Sequence, residues 1–109
     1  MSAKFQEIKT SEELENLFQQ SFIAPVVLFK HSITCPISTN VYAEISEADA
    51  EINLVVVQKT RNISDSIAEK TGIRHESPQA IVLKNGKAIY HASHYDITEE
   101  EILLVMSGE

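Results

Sequence analysis

The hydrophobic pattern of the chain changes period several times, and each change marks an element. Phe5 to Lys9 alternates apolar and polar positions, which predicts a short edge strand. Thr10-Ser11-Glu12-Glu13 then has the form of a capping box, with the Thr10 hydroxyl placed to accept from the backbone of Glu13 and the Glu13 carboxylate placed to reach back. Leu14, Leu17, Phe18 and Phe22 follow at helical spacing as one apolar stripe, and Pro25 marks the exit. Val26-Val27-Leu28-Phe29 is an unbroken run of strand formers, as expected for a strand covered on both faces.

Past the junction Lys30 to Pro36, Ile37, Val41 and Ile45 recur every four residues, so the chain turns helical. Pro36 suits the first helical position, where an N–H would have no partner anyway. Ile52 to Val57 reads as a second buried strand. Ser64-Asp65-Ser66 is expected to open a third helix, with Ile63, Ile67 and Thr71 on one side and Gly72 as its stop. Ala80 to Leu83 and Ala88 to Tyr90 flank Asn85-Gly86, a strong short-range hairpin signal. Thr98-Glu99-Glu100-Glu101 forms a second capping box, with Ile97 and Ile102 placed as a hydrophobic staple across it. The order β-α-β-α-β-α-β-β-α implies an α/β fold with a mixed central sheet and helices on both faces. No repeat or linker interrupts it, so residues 1–109 are expected to form a single domain.

Composition narrows the picture. With 109 residues, 43% of them apolar, one core can form without disulfide or metal staples. The longest apolar run, Ile23 to Phe29, is too short to span a membrane. The first residues lack the basic start and apolar stretch of a secretory signal, so a cytoplasmic location is expected. A formal charge of −7, without any basic run, argues against nucleic-acid partners and against an anionic membrane surface.

Cys35 is the one cysteine, so no intramolecular disulfide can form, which fits a reducing compartment. Any thiol chemistry must therefore run through a bond to another molecule. Cys35 follows a buried strand and precedes a helix, at the carboxyl end of the sheet where open α/β folds place their sites. A helix N-terminus favours the thiolate, and Lys30 and His31 just upstream are candidate electrostatic modulators. The competing reading of a lone cysteine is a small, inert core residue. Ser38 occupies the second position of a CxxC frame. It is placed either to hydrogen-bond the thiolate or to satisfy first-turn amides. Pro78 precedes the hairpin: a cis bond there would turn the Ser77 backbone toward the Cys35 rim, whereas a trans proline would simply start an edge strand. His91 and His94 lack further ligands at metal-site spacing, and His75 lies in a polar loop, so no metal is expected.

The segment Gly72-Ile73-Arg74, then Pro78, then Ala80 to Lys87 resembles the cis-proline loop and hairpin of thioredoxins, and Cys35-Pro36-Ile37-Ser38 falls where they carry CxxC. More narrowly, Thr34-Cys35-Pro36-Ile37-Ser38, His75-Glu76-Ser77-Pro78-Gln79-Ala80 and His91-Ala92-Ser93-His94 together are similar to the YtxJ-like monothiol bacilliredoxins of the bacillithiol system. The stretch from Arg74 to Pro78 is longer than in ordinary thioredoxins. The resemblance implies a thioredoxin-like fold and a monothiol thiol-disulfide oxidoreductase of the bacterial cytoplasm, acting in redox homeostasis. Cys35 would be the nucleophile within the motif Thr34, Pro36, Ile37 and Ser38. Ser77 and Pro78 would hold the substrate chain by strand-like backbone pairing. Its partners would be S-thiolated proteins and a small thiol such as bacillithiol as co-substrate, with no cofactor and a monomeric chain.

Two other functions compete. A glutaredoxin-like iron–sulfur carrier would need Cys35 as ligand in a dimer with an external thiol, but Pro36 stands where those carriers have Gly. A non-enzymatic thioredoxin-like interaction module would bind partners at the same rim without using the thiol. Arsenate reductase chemistry would want an Arg soon after the cysteine, and none occurs before Arg61.

Overall fold

The computed structural model describes residues 2–108. In chain order the elements are β1 (Lys4–Glu7), α1 (Ser11–Gln20), β2 (Val26–His31), α2 (Pro36–Ile45), β3 (Glu51–Val56), α3 (Arg61–Thr71), β4 (Gln79–Lys84), β5 (Lys87–Ser93), a 3₁₀ turn over His94–Asp96, and α4 (Glu99–Met106). The strands form one sheet in the order β1-β3-β2-β4-β5. β1, β3 and β2 run parallel, while β4 is antiparallel to β2 and β5 to β4. This is the mixed sheet that the alternation of elements implies.

The central strand β2 explains the layering. Its side chains alternate between faces. Val26 and Leu28 enter one core with Leu14 and Leu17 of α1 and Ile63 and Ile67 of α3. Val27 and Phe29 enter the other with Val41 and Ile45 of α2 and Ile102 of α4. Burial on both sides is why β2 reads as an unbroken apolar run. The strand continues past Phe29, so Lys30 points to the α1/α3 face and His31 to the α2/α4 face.

The local signals mostly operate as the sequence indicates, with informative departures. Both halves of the Thr10–Glu13 capping box form, with Glu13 N–H to Thr10 Oγ1 at 3.1 Å and Thr10 N–H to Glu13 Oε1 at 3.1 Å. At α4 only half forms. Thr98 Oγ1 accepts from Glu101 N–H at 3.2 Å, but the Glu101 carboxylate takes the Tyr90 hydroxyl instead at 2.7 Å. Helix α3 starts at Arg61, before the predicted Ser64, because Ile63 must already be helical to share a buried face with Ile67. Helix α1 ends at Gln20, so Phe22 leaves the predicted stripe and is exposed. Its ring lies over Gly86 of the hairpin, where an added Cβ would meet Phe22 Cζ at 2.8 Å. Asn85 (φ 56) and Gly86 (φ 75) both adopt the left-handed conformation of a tight hairpin turn. That turn is fixed to the end of α1 by Asn85 N–H to Ser21 O at 2.8 Å and Gly86 N–H to Ser21 Oγ at 2.9 Å.

Candidate active site

Three chain segments meet at the carboxyl ends of β2 and β3: residues 32–35 leaving β2, Val57 to Thr60 leaving β3, and the loop 72–78 that enters β4. The parallel pairing of β2 with β3 brings the first two together, with His31 opposite Val56. The antiparallel pairing of β2 with β4 puts Gln79 opposite Lys30, so Pro78 stands beside the end of β2.

Cys35 is the N-cap residue of α2, with extended backbone (φ −103, ψ 118), and its side chain is half-buried. Pro36 takes the first helical position. The amides of Ile37 and Ser38 have no intrahelical acceptor, as at any helix start, and the helix dipole presents partial positive charge there. Thr34 and Pro36 on either side of Cys35 are exposed and leave an approach line. Ile33 is also exposed, whereas Ile37 packs back into the α2/α4 core.

Ser38 is fully buried. Its hydroxyl oxygen accepts the Ser32 N–H at 2.9 Å and lies 2.8 Å from His31 Nδ1. Among the described residues it makes no hydrogen bond to Cys35. The position of a second cysteine is thus occupied by a serine that braces the turn leading to Cys35. His31 lies against Tyr42, ring centroids 4.9 Å apart, and burial pushes its pKa below the usual 6.5, which disfavours the imidazolium. Lys30 points to the opposite face of the sheet, where its ammonium donates to Ser64 O at 3.0 Å and contacts His75 Nδ1 at 3.2 Å. Burial lowers its pKa from 10.5 to about 8, with the Asp65 charge pulling the other way.

Ser77 is half-buried and Pro78 buried, and the peptide bond between them is cis. The Pro78 carbonyl accepts the His94 N–H at 3.0 Å, which ties the loop to the chain leaving β5. Nearby, a hydrogen bond from Ser93 holds the Glu76 carboxyl below its usual pKa range, helped by His94, Arg74 and His91.

Sequence reasoning missed Gln58. Its Nε2 donates to Ser32 Oγ at 2.7 Å and Thr34 Oγ1 at 3.2 Å, and its Oε1 accepts the Ile33 N–H at 3.2 Å. One amide therefore grips three consecutive residues of the turn that carries Cys35. No local motif marks it. The signal is the parallel register of β2 and β3, which sets the residues just beyond Val56 beside those just beyond His31. A groove of about 370 Å³ between β1 and α1, lined by Phe5, Ile8, Leu17 and Asn53, includes none of these residues. At the rim around Cys35, Ile33, Thr34 and Pro36 are exposed while Ser32, Ser38 and Pro78 are buried.

Known proteins share this fold. A solved structure described as a proposed oxidoreductase with a thioredoxin fold is 32% identical, covering 92% of this chain and 91% of its own at a TM-score of 0.83. The reduced thioredoxin of Schistosoma mansoni is 23% identical over 96% of this chain and 97% of its own, with a TM-score of 0.67. The thioredoxin NaTrxh of Nicotiana alata is 13% identical over 99% and 94%, with a TM-score of 0.73. The protein is a thioredoxin-fold protein whose single thiol caps the N-terminus of α2. Residues 6–102 match the family model described as monothiol bacilliredoxin BrxC, and the chain belongs to that family. Family and fold together support a thiol redox function. No helix among the described residues is long and apolar enough to cross a membrane.

Proposed function

We propose that the protein removes bacillithiol, or a similar low-molecular-weight thiol, from protein mixed disulfides by thiol-disulfide exchange at Cys35. The observation that carries this reading is the pairing of a half-buried Cys35 at the start of α2 with a buried Ser38 in place of a resolving cysteine. Such a site can take up one thiol adduct but cannot discharge it internally.

The Cys35 thiolate attacks the small-thiol sulfur of the mixed disulfide. A Cys35–small-thiol disulfide forms, the original S–S bond breaks, and the protein sulfur leaves as a thiolate that takes a proton from water. A second thiol from solution then attacks the adduct, regenerating Cys35 and carrying the small thiol away as a disulfide. No net oxidant or metal is needed, only an accessible thiolate and a line of approach. Ser77 and Pro78 bind the substrate chain beside the cysteine through backbone pairing. The protein works on S-thiolated partners in a reducing compartment, where a lone cysteine stays free.

The test is recovery of a reporter enzyme inactivated by S-bacillithiolation at its own cysteine. Wild type restores its activity and Cys35→Ser does not. Equal recovery with both proteins would refute the proposal.

A further inference from the structure

A fully buried lysine without a carboxylate partner is an anomaly, because a buried charge is ordinarily paired. Lys30 has no exposed surface, and among the described residues no carboxylate lies within ion-pair distance of its ammonium. Lys30 also points away from α2, toward α3. What it bonds instead is the α3–β4 region: the Ser64 carbonyl at 3.0 Å and His75 Nδ1 at 3.2 Å. An ammonium only donates, so Nδ1 accepts and the His75 proton sits on Nε2. The Ser64 hydroxyl lies 3.0 Å from the same nitrogen.

The residue directly across the sheet from Lys30 is Gln79, also buried. Its Nε2 donates to the Arg74 carbonyl at 3.0 Å, while its Oε1 has no partner among the described residues. Residues 72–78 contain no helix or strand. Adjacent strands therefore each send one buried polar side chain into the same short loop, and they grip consecutive residues, Arg74 and His75. Two buried polar groups at a sheet end are otherwise a cost to folding.

We propose that Lys30 and Gln79 are positioning residues that act through Arg74 and His75 to hold Ser77 and Pro78 in place for the incoming substrate chain. This rests on the exchange function proposed above, with one part independent of it. Lys30 serves the substrate-binding loop on the α3 side and does not tune Cys35.

The test compares wild type with Lys30→Met and His75→Phe, the second leaving the buried lysine in place while removing its acceptor. Amide hydrogen exchange of residues 73–77 reads the loop directly, whether or not the protein has reductase activity. Losing one charge-assisted tie is expected to speed exchange there about tenfold in both variants, with α2 amides unchanged. In turnover of a protein mixed disulfide, KM is expected to rise several-fold while kcat holds. Loop exchange at the wild-type rate in both folded variants would overturn the proposal, as would a fall in kcat at constant KM. Absence of turnover in wild type, with the loop loosened in both variants, would refute the exchange function and leave the anchoring role standing.

Discussion

Replacing Lys30 with Met isolates the energetic consequence of burying an ammonium with no carboxylate at ion-pair distance. Burial lowers the Lys30 pKa from 10.5 to about 8. Between these values the unfolded chain keeps a proton that the folded chain has released. Stability therefore rises with pH through this window, because the unfolded state binds more protons. A shift of that size corresponds to about 3 kcal/mol in full, and about 2 kcal/mol of it falls between about pH 7 and about pH 9.5. Lys30→Met has no such group, and the thioether fills similar volume on the apolar face shared with Leu28 and Ile81. The hydrogen bonds to Ser64 and His75 contribute to the stability gap at any one pH, so its change with pH is the informative quantity. Urea denaturation of both proteins at the two pH values should show wild type gaining about 2 kcal/mol on the variant, or roughly 1 M in midpoint. Staying below pH 10 avoids the Tyr90 hydroxyl, whose pKa is raised by burial and by Glu101. Parallel stability curves for the two proteins would refute the reasoning, because they would mean that Lys30 is solvated or paired when folded.

Other substitutions test other parts of the structure. Ser38→Ala strips the acceptor from the buried Ser32 N–H and should cost about 1–3 kcal/mol of stability while exchange through Cys35 persists. Activity lost as completely as in Cys35→Ser, in folded protein, would contradict the bracing role of Ser38. Gly86→Ala forces a side chain onto a backbone with φ 75 and presses it against the Phe22 ring. The exposed ring can turn aside, so strain dominates, at about 1–2 kcal/mol seen as a lower Tm; an unchanged Tm would contradict it. His75 has a lowered pKa, chiefly from burial, then from Lys30 and Arg61 against the opposing pull of Asp65 and Glu76. The unfolded chain takes up this proton first as pH falls below 6.5, so acid removes stability. His75→Phe should lose less than wild type between about pH 7 and about pH 5 in urea titrations, and identical losses would refute that assignment.

The sequence announces elements whose signal is local and misses what depends on register. Ile37, Val41 and Ile45 mark α2 because their four-residue spacing needs no partner to be read. Thr10–Glu13 and Asn85-Gly86 are legible because cap and turn chemistry is decided within a few residues. Thr98–Glu101 shows the limit: the same motif forms by half, since Tyr90 on β5 competes for the carboxylate. Cys35 could be placed at a strand–helix junction from sequence. The burial of Ser38 and Lys30 could not, because it depends on what α3, β3 and the 72–78 loop bring beside β2. Lys30 had the weakest outward sign of all. Counting alternation from Val26 and Leu28 puts it on a covered face, yet its charge suggests the end of the strand. Gln58 and Gln79 act on loops distant in sequence, so only the pairing of β2 with β3 and β4 reveals them.

The central claim is that Cys35 takes one small thiol from a protein mixed disulfide and holds it. Intact-mass spectrometry of reduced protein incubated with a bacillithiolated protein substrate tests this directly. Wild type should gain the mass of one bacillithiol while the substrate loses it and frees its thiol, and Cys35→Ser should gain nothing. An unmodified wild-type chain, with Cys35 still open to alkylation and the substrate intact, would contradict the account.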